Sequence, residues 1–255
     1  MPTQYAINYH QRMFPGYVSK FPETDPEFIE RFDNFAFDDV IQTTRILSDD
    51  LRFRIILSLL LSCQGLEEFK AMLPAALEMG VKPIEVKEIV YQSVGYLGIG
   101  RVFPFLKVTN EVFSARGISL PLASQAMNNS ETRLQSGETT LVEIFGKRML
   151  GYANSGSEKT RHIRRWLTEH CFGDGYVRSG LSLKERELIT FCFLLAQGGC
   201  EAQLISHVEG NLRMGNSEEL LIAAASQAVP YVGYPRVLNA FSCIERGMEL
   251  FSKAQ

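Results

Sequence analysis

Long apolar runs are missing from this chain of 255 residues. No stretch of about 18 consecutive apolar residues occurs, which argues against a membrane-spanning helix. The opening Met1-Pro-Thr-Gln-Tyr5 has no basic segment leading into an apolar core, so no signal peptide is expected. An excess of one charge is missing too. Lys and Arg number 26 against 29 Asp and Glu, the formal net charge is −3, and no basic block occurs. Nucleic acid and anionic membranes are therefore not expected as partners. Cysteine is scarce and unpatterned. Cys63, Cys171, Cys192, Cys200 and Cys243 are odd in number and include no CxxC pair. That arrangement argues against a disulfide framework and against a zinc site, and no metal or other cofactor is expected. A reducing cytoplasm is the matching location. Sustained alternation of apolar and polar residues is also absent, so the fold class expected is all-α.

What the chain does have is apolar mass: 45% of its residues are hydrophobic, enough for one large or two modest domains. Residues 1–22 interleave Tyr5, Tyr9, Phe14, Tyr17 and Phe21 with polar residues. They suggest an extended arm, packed on the rest of the protein or on a partner subunit. Thr24-Asp-Pro-Glu27 is a helix start, with Pro in the first turn. Residues 49–62 are too long and too apolar for a surface strand and indicate a buried helix. Helices are expected over 65–79, 83–97 and 101–116, then a linker at 118–130 and helices near 131–150 and 158–170. Cys171-Phe-Gly-Asp-Gly-Tyr176 suggests a glycine-punctuated turn, and further helices follow near 217–229 and 235–252.

One block carries chemistry. In Leu183-Lys-Glu-Arg-Glu187, and on to Ala196, apolar residues recur with helical period at Leu188, Phe191, Cys192 and Leu195. Gly198-Gly199 breaks that helix, and Cys200, Gln203 and His207 then share one face of the next. A thiol at a helix start, in line with an imidazole, favours thiolate. The same residues also fit a small buried hydrophobe and a hydrogen-bonded structural histidine. Glu187, set among apolar neighbours, could orient His207 or simply favour the helix dipole. Cys192 reads as core.

The chain repeats itself at an offset of 135. Gly80, Gln92, Tyr96, Gly98, Arg101 and Val102 match Gly215, Gln227, Tyr231, Gly233, Arg236 and Val237. At the same offset Cys200 falls on Gly65, His207 on Met72, Glu187 on Arg52 and Gln203 on Glu68. One competent and one structural half is the simplest account. The rival is a composite site that uses Cys63 and Glu67 or Glu68 from the first half.

Leu183-Lys-Glu-Arg-Glu-Leu-Ile-Thr190, Gly198-Gly-Cys-Glu-Ala-Gln-Leu-Ile-Ser-His207 and Val229-Pro-Tyr-Val-Gly-Tyr-Pro-Arg-Val-Leu-Asn-Ala240 together resemble the carboxymuconolactone decarboxylase family in its tandem form. The resemblance runs from about Asp25 to Gly247. It implies an all-α tandem repeat with an arm at 1–24, a degenerate first repeat at 25–117, a linker region with a helix at 118–157 and a second repeat at 158–255. It also implies closed rings, here a homotrimer, and a small-molecule substrate. The family holds two chemistries. One is cofactor-free decarboxylation of a γ-lactone by an acid/base His and a carboxylate. The other is the alkylhydroperoxidase D branch, a thiol peroxidase with Glu, Cys-x-x-Cys and His. On that motif Glu187, Cys200 and His207 take the positions of Glu, first Cys and His, while Gln203 replaces the second Cys. An intramolecular disulfide is excluded there, and a one-cysteine peroxidase stays open. Tyr231, Tyr234, Arg236 and Gln203 are the expected substrate contacts. Arg186, Arg213 and Arg236 are the cations available for a substrate carboxylate. A non-catalytic oligomeric scaffold with a decayed site is the third reading.

Overall fold

The computed structural model describes residues 1–253, and among them every regular element is helical. The first half opens with α1 (Gln4–Met13), α2 (Phe21–Thr24) and α3 (Pro26–Asn34). A short π-helical segment (Phe35–Asp39) leads into α4 (Val40–Thr43). Then come α5 (Asp49–Ser62), α6 (Leu66–Glu78), α7 (Pro83–Leu97) and α8 (Ile99–Ala115). After a non-helical stretch the second half runs through α9 (Arg133–Phe145), two single 3₁₀ turns, α10 (Arg161–Trp166) and a longer π-helical segment (Leu167–Tyr176). It ends with α11 (Leu183–Gln197), α12 (Glu201–Arg213), α13 (Glu218–Val232) and α14 (Tyr234–Lys253). No helix of the described residues is long and apolar enough to cross a membrane.

The duplication is visible in the helices themselves. Each of α5 to α8 has its counterpart in α11 to α14, and Pro83 and Glu218, which open α7 and α13, stand 135 apart. The breaks repeat as well: Gly98 and Gly233 end their helices at φ 78° and 80°. The correspondence reaches further back than the matched residues suggest. Gly16 and Gly151 are both left-handed, at φ 75° and 67°. α1 packs on the first π-segment and on α6, as α9 packs on the second π-segment and on α12.

Two expectations are corrected here. The aromatic segment at the start is a helix, not an extended arm. Thr3 caps α1, and the helix turns Ala6, Tyr9 and Met13 into the core. The stretch Cys171–Tyr176 is not a turn but the end of the π-helical segment. Of its two glycines, Gly173 serves a close helix crossing. A methyl on Gly173 would overlap Arg133 O of α9, and one on Gly137 of α9 would overlap Thr168 O. The expanded π turn lets two backbones meet where side chains would keep them apart.

The two halves join through α5 and α11, which are buried on nearly every side and pack on each other. Helices that are apolar all round belong in the middle of a core. The polar groups at this seam cross between halves in matching ways. Arg52 of α5 donates to Gln227 of α13, and the Gln92 amide of α7 donates to Thr190 Oγ1 and Arg186 O of α11. Fully buried Arg186 donates to Glu88 and Gln92, and Arg54 pairs with Glu185. α11 is started by a capping box, in which Ser182 and Glu185 satisfy each other's backbone amides. It is ended by Gly198 at φ 67°. Those two punctuation marks fix the level at which Glu187 sits.

Candidate active site

Glu187 lies on the first turns of α11 and is fully buried. His207 lies two turns into α12 and is 7% exposed. Their side chains meet across the two helices, with Glu187 Oε2 2.9 Å from His207 Nδ1. A carboxylate accepts, so Nδ1–H donates and Nε2 is left as the free basic nitrogen. Nε2 has no hydrogen-bond partner among the described residues, and it is not a sealed buried atom. The other Glu187 oxygen, Oε1, is buried with no partner among the described residues. Gly210 leaves the room for this pair, since a methyl there would run into Glu187 Oε2. Asn211 ties the two helices together behind it, donating to Glu187 O at 2.9 Å and His207 O at 2.7 Å.

The walls come from three places. Phe145 of α9 and Tyr96 of α7 set their rings edge-on to the imidazole, at 5.2 and 5.8 Å between centroids. Behind Tyr96 runs a chain of hydroxyls. Tyr96 Oη is 2.7 Å from Tyr176 Oη, which is 2.5 Å from Thr190 Oγ1. The Cys171 thiol lies 3.9 Å from Tyr96 Oη. Burial pushes that thiol up to about 12, with Glu187's charge adding to it and the Tyr96 bond opposing it. Burial, with the charge of Glu187 behind it, also raises Tyr96 and Tyr176 far above an ordinary phenol. These are hydrogen-bonding groups held in their protonated forms around one carboxylate–imidazole pair. The tyrosine from α7 belongs to the first half. The site is therefore composite, though through Tyr96 and not through Cys63, Glu67 or Glu68.

Cys200 is placed elsewhere. It caps α12, and its thiol contacts Leu194 O at 3.4 Å and Gln197 Nε2 at 3.8 Å. No hydrogen bond joins it to His207 among the described residues. Seven helical residues advance about 10 Å along the axis, so a shared face does not bring the two into contact. The expected thiolate is not favoured. Burial raises the Cys200 thiol, the Gln197 contact opposes this, and the Glu201 charge next to it raises it further. Cys200 instead lines a cavity of about 280 Å³ with Gln197, Glu201, Leu204, Arg236 and Asn239.

The other expected residues scatter. Gln203 sits in the solvent-exposed first turn of α12. Tyr234 is 62% exposed, near Phe35. Tyr231 lines a different and larger cavity, with Cys63 and Glu68. Arg186 is sealed by Glu88, Gln92 and Arg178 O, and Arg213 pairs with Glu209, so neither is free for a ligand. Arg236 alone of the three cations lines the Cys200 cavity. Cys192 is core, as its helical spacing indicates. Tyr176, Thr190 and Phe145 had no signal in the sequence beyond helical periodicity.

Residues 161–246 match the carboxymuconolactone decarboxylase family. No curated protein matches the chain. Among solved structures, the chain is similar to a crystal structure from Burkholderia xenovorans LB400, provisionally named a gamma-carboxymuconolactone decarboxylase subunit. The similarity covers 98% of this chain and 96% of that one, with a TM-score of 0.55 and 18% identity. It shows a shared fold over the full length of both chains. The segment that matches the family holds Cys171, Tyr176, Glu187, Thr190, Cys200 and His207.

Proposed function

We propose that the second half carries out cofactor-free acid/base chemistry of the lactone-decarboxylation type, with His207 moving the proton and Glu187 orienting it. One observation carries this: the buried Glu187–His207 hydrogen bond, with Nε2 left unbonded between aromatic walls. Decarboxylation of a lactone acid breaks a carbon–carbon bond and leaves its electron pair on an enolate. A positioned imidazole then returns a proton to carbon. Glu187 keeps the imidazole in one tautomer and offsets the charge that appears on it. Tyr96 packs its ring edge-on against the same imidazole, its hydroxyl bonded to Tyr176. Arg236 lines the separate cavity beside Cys200, whose lining does not include His207, so it takes no part in this reading.

The test is release of CO₂ from a panel of carboxylated γ-lactones and β-keto acids. Wild type is expected to turn over a member of that panel and His207→Ala to lose the activity. Equal turnover by the variant would remove His207 from the chemistry.

A thiol peroxidase is the second reading, and the Gln197–Cys200 contact in a cavity shared with Arg236 favours it. There the thiolate would attack a peroxide oxygen, giving a sulfenic acid and releasing an alcohol or water, with an external thiol as reductant. Peroxide consumption lost in Cys200→Ser would select it.

The assembly proposed is a homotrimer of tandem units. Ile99 and Phe103 on α8 correspond to Tyr234 and Leu238 on α14, and each of the four is more than half exposed. Equivalent apolar patches on both halves suit a closed ring in which the halves alternate. Light scattering on the eluting protein gives the mass that decides it.

A further inference from the structure

The first half lacks the dyad, yet it holds the larger cavity. About 1400 Å³ opens between the segment of α1 to α3 and the outer face of α5 and α6. Its floor is Cys63, Gly65, Glu68, Met72 and Tyr231. At the offset of 135 three of these stand where Cys200, Gln203 and His207 stand in the second half, and Tyr231 stands where Tyr96 does. His10, at the position of Phe145, lines it as well. The corresponding place in the first half therefore lacks the acid/base pair and opens into a cavity.

What remains is aromatic and acidic. Phe14, Tyr17, Phe28, Phe32 and Phe37 form the far wall. Asp33 and Glu68 line the cavity, and neither carboxyl has a hydrogen-bond partner among the described residues. Apolar surroundings push both up from ordinary carboxylate values, Asp33 against the charge of neighbouring His10. The one arginine on the lining, Arg116, is held by Glu78 at 2.7 Å. Rings and unpaired carboxylates together attract a cation and repel an anion.

We propose that this cavity in the first half is a binding site for an apolar amine, whose ammonium group meets Glu68 while its hydrocarbon or aromatic body lies against the phenylalanine wall. Size and composition suit a small-molecule site, mostly apolar with a few convergent polar groups. The site is separate from His207 and does not depend on the reaction proposed for it.

The test is a fluorescence titration of the full chain with the apolar reporter N-phenyl-1-naphthylamine, followed by displacement with octylamine and with octanoate. The reporter is expected to brighten on binding. Octylamine should displace it at a concentration lower by about tenfold or more than octanoate. Glu68→Gln should shrink that preference. Ala71→Trp, a substitution at an exposed position on the lining, should abolish reporter binding with the circular dichroism spectrum unchanged. His207→Ala should bind the reporter as wild type does. Equal displacement by amine and carboxylate overturns the proposal, as does reporter binding indifferent to both lining variants. Reporter binding that vanishes as the protein self-associates also overturns it, because a second copy then fills the cavity.

Discussion

Tyr96 and Tyr231 stand 135 residues apart, and each faces into the other half of the molecule. Tyr96, on a first-half helix, sets its ring 5.8 Å from that of His207 in the second half. Tyr231, on a second-half helix, lines the first-half cavity beside Cys63 and Glu68. Each of these two places in the fold is therefore lined from both halves: one holds the Glu187–His207 pair, and the other opens into an apolar cavity.

The dyad can be separated into its parts. His207→Ala removes the proton carrier and leaves the fully buried Glu187 carboxyl without its hydrogen bond. Turnover is expected to fall by about 10²- to 10⁴-fold. Stability is expected to fall by about 1–3 kcal/mol, the cost of a buried group left unmet. Glu187→Gln keeps the shape and a hydrogen-bonding group, so its effect should lie mainly in kcat. Chemical denaturation beside kinetics reads both. A Glu187→Gln enzyme with unchanged kcat would rule out the orienting role.

Tyr96→Phe deletes one hydroxyl and keeps the ring against His207. Tyr176 retains its 2.5 Å contact with Thr190, so the stability cost should stay near 1 kcal/mol. Activity is expected to drop by more than that figure explains. Loss of stability with unchanged kcat would make Tyr96 a packing residue only.

Much of this was legible in the residues. Glycines in register mark the duplication, because a left-handed backbone at Gly80 and Gly215 or Gly98 and Gly233 is a local requirement that a sequence displays. The Glu187–His207 pair could be anticipated because both belong to helices joined by a short break. The partner of Cys200 could not. Spacing of i and i+7 reports a shared face and not the 10 Å or so between two turns. Tyr176 and Thr190 are distant in sequence from Tyr96, and no periodicity links residues that meet only through tertiary packing. The π-helical segment was missed for a physical reason as well. Gly173 serves a backbone crossing with α9, and a glycine looks the same in sequence whether it turns the chain or admits a neighbour.

Acid should loosen the join between halves. Burial pushes Glu185 upward, but hydrogen bonds from Ser182 and Arg54 outweigh it and hold its carboxyl below the ordinary 4.5. Asp50, on the same arginine, is likewise held below its ordinary value: burial raises it, while Ser48 and Arg54 lower it by more. A carboxyl with a depressed folded value stabilises the fold fully above its unfolded value. That stabilisation is lost as the pH falls through the unfolded value towards the folded one. Melting temperature should therefore decline below about pH 4.5, and Glu185→Gln should flatten part of that decline. An identical acid limb in the variant would show that the Arg54–Glu185 bridge does not couple to folding.

The thiols should be slow. The nucleophile is the thiolate, and burial raises Cys63, Cys200 and Cys171, the last to about 12. Iodoacetamide labelling near pH 7 is expected to be slower than for a free cysteine, rising about tenfold per pH unit up to pH 9. Cys171 should stay unlabelled in the folded protein. Peptide mass spectrometry assigns each site. Fast labelling of Cys200 at neutral pH would contradict this placement and bring the peroxidase reading forward.

The crossing of α9 with the π-helical segment positions Phe145 over His207, so its glycines should matter to the site as well as to the fold. A methyl on Gly137 would overlap the carbonyl of Thr168, and both groups are backbone. No side chain can rotate away, so the two helices must separate. Gly137→Ala is expected to cost about 3 kcal/mol, the upper end for overpacking, or more. It should also lower kcat by displacing Phe145. Gly151→Ala is the control. That residue is left-handed at φ 67° with nothing within 4 Å of the added carbon, so its cost is conformational only, about 1–2 kcal/mol. If the two variants lose equal stability and Gly137→Ala keeps full activity, α9 does not press on the π-segment, and Phe145 is held over His207 by something other than that crossing.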